Sequence, residues 1–93
     1  MMKGKILTEE MAKAFEKYLR REEKSENTVK KYLRDVRAFA AYLNGAEVTK
    51  ETVITFESKL LGESYSVRSI NSMLASLNGL FSFLGWEDCR VKS

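Results

Sequence analysis

The sequence predicts an all-α fold, a compact bundle of four helices, and three observations carry that expectation. Apolar residues recur at helical spacing in four separate stretches, each opened by a Ser or a Thr and three of them closed by a Gly. The chain has no Pro and only 5 Gly in 93 residues, which favours long helices joined by short turns. Its 44% hydrophobic and 31% charged content is that of a single globular domain, able to bury about two-thirds of its unfolded surface.

The first helix opens at Leu7-Thr8-Glu9-Glu10, with Thr8 as cap and two acids facing the positive end of the dipole. Met11, Ala12, Phe15, Tyr18 and Leu19 share its inner face. Lys13, Lys17, Arg20 and Lys24 line the outer face, offset by Glu9, Glu10 and Glu16, and read as solvated surface. The helix fades in the charged run Arg21 to Lys24.

The second stretch, Ser25 to Leu43, frames the others. Val29, Tyr32, Leu33, Val36, Phe39, Ala40 and Leu43 crowd onto one face at 100° per residue. The opposite side carries Asn27, Lys30, Lys31, Arg34, Arg37, Ala38 and Ala41, and Asp35 is the only acid between Thr28 and Leu43. Ser25 caps the start and Asn44-Gly45 supplies the left-handed stop. The basic stripe fits either a solvated surface or an anionic partner, and pattern alone leaves both open.

Thr49 caps a third helix, with Val48 placed to staple onto Val53. Val53, Phe56 and Leu60 form a narrow seam, Gly62 marks the expected end, and the slightly acidic surface reads as structural. Ser66 opens the fourth helix, with Tyr65 placed to staple onto Ile70. Val67, Ile70, Met73, Leu74, Leu77, Leu80, Phe81 and Leu84 make a face wider than a surface helix needs. Its other side, Arg68, Asn71, Ser72, Ala75, Asn78, Gly79 and Ser82, is small and nearly uncharged. A mid-helix Gly79 costs about 1 kcal/mol relative to Ala. Such a face suits close approach by another body, or burial on two sides within the same domain. Gly85 fits a left-handed stop that folds Trp86 back on Phe81. No segment reads as a repeat of another, and Glu87 to Ser93 reads as the start of a linker.

Composition narrows the function classes. Net charge is +3 with an isoelectric point near 9.1, a mild basic bias that permits an anionic partner. No His is present and Cys89 is the only Cys, which excludes the common zinc sites and any Ser-His-Asp or Cys-His centre. A lone Cys also points to a reducing compartment, and no membrane-length apolar run or signal peptide appears, so the expected location is the cytoplasm. No cofactor is expected.

Two segments together resemble a known family. Lys24-Ser25-Glu26-Asn27-Thr28-Val29, then Tyr32, Asp35-Val36, Phe39 and Tyr42-Leu43, resembles the second helix of the core-binding domain of tyrosine recombinases, the phage integrases. Ser69-Ile70, Leu74-Ala75-Ser76-Leu77 and Leu80 to Leu84 resemble its fourth helix. Leu7-Thr8-Glu9 and Phe15-Tyr18-Leu19 fit as well, so the resemblance runs over about residues 6 to 86.

The resemblance implies a SAM-like, four-helix orthogonal bundle over residues 1–86, with 87–93 beginning a linker to a catalytic domain. It implies that this domain clamps double-stranded DNA through its second and fourth helices and does no catalysis itself. The site residues it implies are Ser25, Asn27, Thr28, Lys30, Lys31, Tyr32 and Arg34 on the second helix, and Arg68, Ser69, Asn71 and Ser72 on the fourth. Further implied partners are the catalytic domain of the same parent chain and recombinase protomers assembled on DNA, with no role for a membrane. The chain departs from the family at Ser72 and Asn78, where Arg or Lys is frequent. The alternative is a helical protein-interaction module that docks a partner through the small-residue face of the fourth helix.

Overall fold

The computed structural model describes residues 4–92; Met1 to Lys3, at the start of the expected domain, and Ser93, the end of the expected linker, lie outside the described residues. Four α-helices follow in order: α1 Glu9–Arg21, α2 Glu26–Leu43, α3 Lys50–Gly62 and α4 Val67–Leu84, then a short 3-10 turn at Glu87–Cys89. There is no strand among the described residues. The all-α four-helix architecture expected from the sequence is the one observed.

Each helix starts where its cap predicts. Thr8, Ser25, Thr49 and Ser66 each accept a hydrogen bond from the backbone amide three residues on, at 3.1 to 3.2 Å. Thr52 Oγ1 also accepts from the Thr49 amide at 2.8 Å, which completes a reciprocal box at the start of α3. At the far end of α4, Gly85 adopts φ +77°, and the Trp86 amide donates to the Phe81 carbonyl at 2.7 Å. The Trp86 and Phe81 rings then stack at 6.4 Å, closing the bundle end as expected.

α1 and α3 end where expected, at Arg21 and Gly62, but without a left-handed glycine. After α3 the left-handed residue is Ser64, at φ +69°. Glu23, at φ +60°, plays the same part after α1. The hydrogen bonds match at both corners: Glu23 to Arg20 and Lys24 to Leu19 after α1, Ser64 to Leu61 and Tyr65 to Leu60 after α3. Two residues beyond each left-handed residue stands a capping Ser. The α1–α2 and α3–α4 hairpins therefore share one corner that has no glycine at its left-handed position, which is why periodicity and glycine placement did not reveal the repeat.

The core gathers the predicted inner faces. Phe15 and Leu19 from α1, Val29, Val36 and Phe39 from α2, Val53 and Phe56 from α3, and Leu74, Leu77 and Phe81 from α4 are all buried. Phe39 sits at the centre, with Phe56 at 5.2 Å and Phe81 at 6.2 Å between ring centroids. The most extensive packing is between α2 and α4. Three residues expected to pack inward stay out: Val67 is 65% exposed, and Tyr18 and Tyr65 are exposed as well. Tyr65 and Val67 stand at the very start of α4, before the helix has dropped onto the core.

The tail also departs from the sequence-based expectation. Through Val91 it packs onto the bundle: Cys89 and Val91 are buried, and Asn78 holds the Val91 backbone on both sides. Its side-chain amide donates to the Val91 carbonyl at 2.7 Å, and its carbonyl accepts from the Val91 amide at 3.0 Å. Burial pushes the Cys89 thiol pKa up. Lys5 joins the closure, pairing with Asp88 at 3.3 Å while its carbonyl accepts from the Val48 amide at 2.7 Å. Asn78, read from the sequence as part of an outer face, is thus a latch for the chain's own end.

Leu74→Ala should cost about 2–5 kcal/mol of stability, and Leu33→Ala a similar amount, measured as the shift in denaturant midpoint. A shift no larger than that of Lys59→Ala on the surface would contradict this core. Removal of residues 87–93 should cost about 2–4 kcal/mol, because it uncovers the surface under Cys89 and Val91. A passive linker would leave the midpoint where it was.

Candidate nucleic-acid interface

Between α2 and the start of α4 runs an open groove of about 390 Å³. Lys31, Arg34, Asp35 and Ala38 form one wall; Tyr65, Ser69, Ser72 and Met73 form the other. Its α4 wall is small at Ser69 and Ser72, and the exposed Tyr65 stands at its edge. Of the expected site residues, Lys31, Arg34, Ser69 and Ser72 come together on this groove. Ser25, Asn27, Lys30 and Arg68 are exposed but do not line it, and Thr28 and Asn71 are half-buried.

Ser25 and Ser69 have structural work as well. The Ser25 hydroxyl caps α2 and donates to Thr28 Oγ1 at 2.9 Å; the Ser66 hydroxyl does the same toward Ser69 Oγ at 3.0 Å. The two helix starts are built alike.

Tyr32 faces away from this groove. Its ring stacks at 6.2 Å on Phe15 and passes over Gly79, where an added Cβ would meet Tyr32 Cε2 at 3.5 Å. With Phe15, Tyr18, Leu19, Gly79 and Phe83 it lines a second, more aromatic groove on the other side of α4. Tyr32 is therefore a packing residue of the α1–α2–α4 junction, and Gly79 leaves a strip of ordinary contact distance beneath it.

The electrostatics of the first groove differ from a plain basic stripe. Asp35, placed by the sequence beside the basic face, is buried to 2% exposure. Its Oδ2 accepts from the Ser76 hydroxyl at 2.8 Å and from Lys31 Nζ at 2.9 Å. Lys31 Nζ also donates to Ser76 Oγ at 3.0 Å and to the Ser72 carbonyl at 2.7 Å. Arg34 approaches the other carboxylate oxygen only loosely, Nε to Oδ1 at 3.6 Å, and its side chain is 73% exposed. The sequence shows Asp35 as an isolated acid, and Ser76 enters only through the family resemblance. Neither signal says that the two meet.

The other charges near α2 are apportioned as well. Arg20 bridges Glu16 at 2.9 Å and Glu26 at 2.7 Å, tying the end of α1 to the start of α2. Its guanidinium holds the Glu26 carboxyl below the usual carboxylate range, chiefly through that hydrogen bond. Arg37 reaches Glu9 on α1 at 2.9 Å. Among the described residues, Lys30, Arg34 and Arg68 are the cations of α2 and α4 left exposed with no acid closer than the loose Arg34–Asp35 approach; on the other elements Lys13, Lys17, Arg21, Lys24, Lys50 and Lys92 are likewise exposed.

Comparison with known proteins fits this architecture. The family described as phage integrase, N-terminal SAM-like domain, matches residues 12–88. Tyrosine recombinase XerA of Pyrococcus furiosus is 34% identical over 87 residues, covering 94% of this chain and 30% of that protein. Tyrosine recombinase XerA of Thermococcus onnurineus is 33% identical over 79 residues, covering 85% of this chain and 27% of its own. The protein of the same name from Pyrococcus horikoshii is 31% identical over 82 residues, covering 88% of this chain and 28% of its own. This chain thus spans under a third of the length of those relatives. No solved structure gives a significant match. Residues 12–88 take in all of α2, α3 and α4, and on that footing the chain belongs to the SAM-like N-terminal domain family of the phage integrases, or tyrosine recombinases.

Proposed function

We propose that this domain binds double-stranded DNA through α2 and the first turns of α4, as the non-catalytic part of a tyrosine recombinase. One observation carries the reading. α4 contains no acidic residue, and both acids of α2 are paired within the domain, Glu26 with Arg20 and Asp35 with Lys31. The face bearing Lys30, Arg34 and Arg68 therefore presents uncompensated positive charge beside a groove floored by small side chains. That combination suits a phosphate backbone approached closely by α4. The relatives' name, with this chain spanning under a third of them, supports placing strand cleavage in another domain of the parent protein. Other protomers assembled on the same DNA would be further partners. No helix among the described residues is long and apolar enough to cross a membrane, and the buried unpaired Cys89 suits a reducing, cytoplasmic setting.

A second reading rests on the aromatic groove of Phe15, Tyr18, Tyr32 and Phe83, an apolar surface that would suit another protein. Salt separates the two. Lys30, Arg34 and Arg68 offer about three phosphate contacts, so duplex affinity should fall with a slope of about −3 in log affinity against log salt. Apolar docking would show no such slope. Arg34→Glu should flatten the slope by about 1, whereas Lys50→Glu on α3 should change little; equal effects would point to unspecific attraction.

The fourth helix gives a local check. Ser72→Arg should tighten binding by placing a new charge one turn from Arg68. Arg68→Ala should weaken it by about 1–3 kcal/mol for a base contact and by less for a phosphate contact. Titrations in which both variants match the wild type would remove α4 from the DNA surface.

The chain alone should also form no covalent adduct with a nicked suicide duplex, because no set of donors surrounds any of its tyrosines to stabilise a transferring phosphate. A shifted band on denaturing electrophoresis would overturn the non-catalytic assignment.

A further inference from the structure

We infer that Lys31 is not a phosphate contact but a positioning residue, held off the DNA by the buried carboxylate of Asp35. The inference rests on the DNA-binding reading above and changes which of its residues meet DNA. An ammonium group has three N–H donors and no more. Here all three have partners inside the protein: Asp35 Oδ2 at 2.9 Å, Ser76 Oγ at 3.0 Å and the Ser72 carbonyl at 2.7 Å. Asp35 is itself buried, so its charge needs a paired partner that it cannot obtain from water.

The geometry crosses between helices. Lys31 and Asp35 stand one turn apart on α2, and Ser72 and Ser76 stand one turn apart on α4. The four form a closed polar clasp between two helices whose remaining contact is apolar. Apolar packing resists separation but permits sliding, whereas three directional bonds across the seam, from Lys31 to the Ser72 carbonyl and to Ser76 and from Ser76 to Asp35, fix register. The clasp thus sets how far α4 stands from α2, and with it the width of the groove beside Arg34. Lys31 contributes to binding by holding the groove and by cancelling Asp35; it adds no net charge to the DNA face.

This has a consequence that runs against simple charge counting. Asp35→Asn keeps the size of the side chain and an oxygen for Ser76, but removes the charge that holds Lys31. The ammonium, already 30% exposed as a side chain, can then swing out of the groove to phosphate. One added contact should steepen the salt slope by about 1 and raise affinity about eightfold at 0.1 M salt.

The test is a salt titration of the 93-residue chain with a mixed-sequence duplex, with folding of each variant checked by circular dichroism and thermal melting. Asp35→Asn should bind more tightly, with the steeper slope. The double variant Lys31→Met/Asp35→Asn, which leaves no buried unpaired charge if Lys31→Met alone does not fold, should keep the wild-type slope. Arg34→Met should lose about 1 unit of slope. Glu51→Gln, which makes the same change in net charge on α3, should do little.

Four outcomes overturn the inference. They are a double variant that loses about 1 unit like Arg34→Met, Asp35→Asn that binds like the wild type, Asp35→Asn that gains no more than Glu51→Gln, and Asp35→Asn that does not fold. If instead the wild type and Arg34→Met both bind without salt dependence, the DNA-binding reading falls first and takes this inference with it.

Discussion

The fold depends on the closure of α2 against α4. Each of these helices has 18 residues and spans most of the domain, whereas α1 and α3 have 13. α2 turns a stripe of Val29, Val36 and Phe39 inward, and α4 presents a face wide enough to receive α2 on one side and α3 on the other. Phe39 and Phe81 meet edge to face at the junction, with Phe56 of α3 tilted against Phe39. Once those rings are placed, α1 and α3 have one open side each to cover. The width of the α4 apolar face follows from this: it is the helix against which every other element packs.

That closure also explains why the domain tolerates a buried ion pair. A purely apolar seam between two long helices admits neighbouring registers of similar energy, one turn apart. Asp35 reaches its full set of partners only when Ser76 stands opposite, so each alternative register would leave a buried carboxylate short of a donor. The clasp selects among packings more than it adds to their stability. It also accounts for a small polar residue at Ser76, fully buried against α2, where a larger side chain would hold the two helices apart.

Much of this was legible in the sequence, for a physical reason. The four starts were visible because a cap is a local interaction: Thr8, Ser25, Thr49 and Ser66 bond amides three residues away and need nothing from the rest of the fold. The inner faces were visible because burial follows helical periodicity. What stayed hidden involved residues far apart in the chain. Asn78 and Val91, or Asp35 and Ser76, meet only after the helices have packed, and no spacing rule links positions 13 or 41 residues apart. The corners at Glu23 and Ser64 were hidden for another reason. A left-handed conformation costs a non-glycine residue about 1–2 kcal/mol, so expectation goes to Gly62 or passes over the site. The cost is met because the helices on both sides are already fixed by their own packing.

The candidate site shows the same division. That α2 carries a basic stripe was readable from counts of Lys, Arg and acid along each stretch. Which cations remain available was not, because availability depends on the acids that packing brings near. Arg37 is drawn to Glu9 of another helix, Arg20 to Glu26 across a corner, and Lys31 to the buried carboxylate of Asp35 one turn along the same helix. The four cations of α2 thus reduce to a smaller set fixed by tertiary contacts. The pairs also differ in kind. Arg20 and Arg37 are exposed and their partners compete with water, so a phosphate could displace those acids at small cost. Lys31 cannot be displaced in that way, since removing it strands Asp35 inside the domain. Under the proposed DNA-binding role, exposure of the partner, more than distance to it, would divide the cations that a phosphate could recruit from the one it could not.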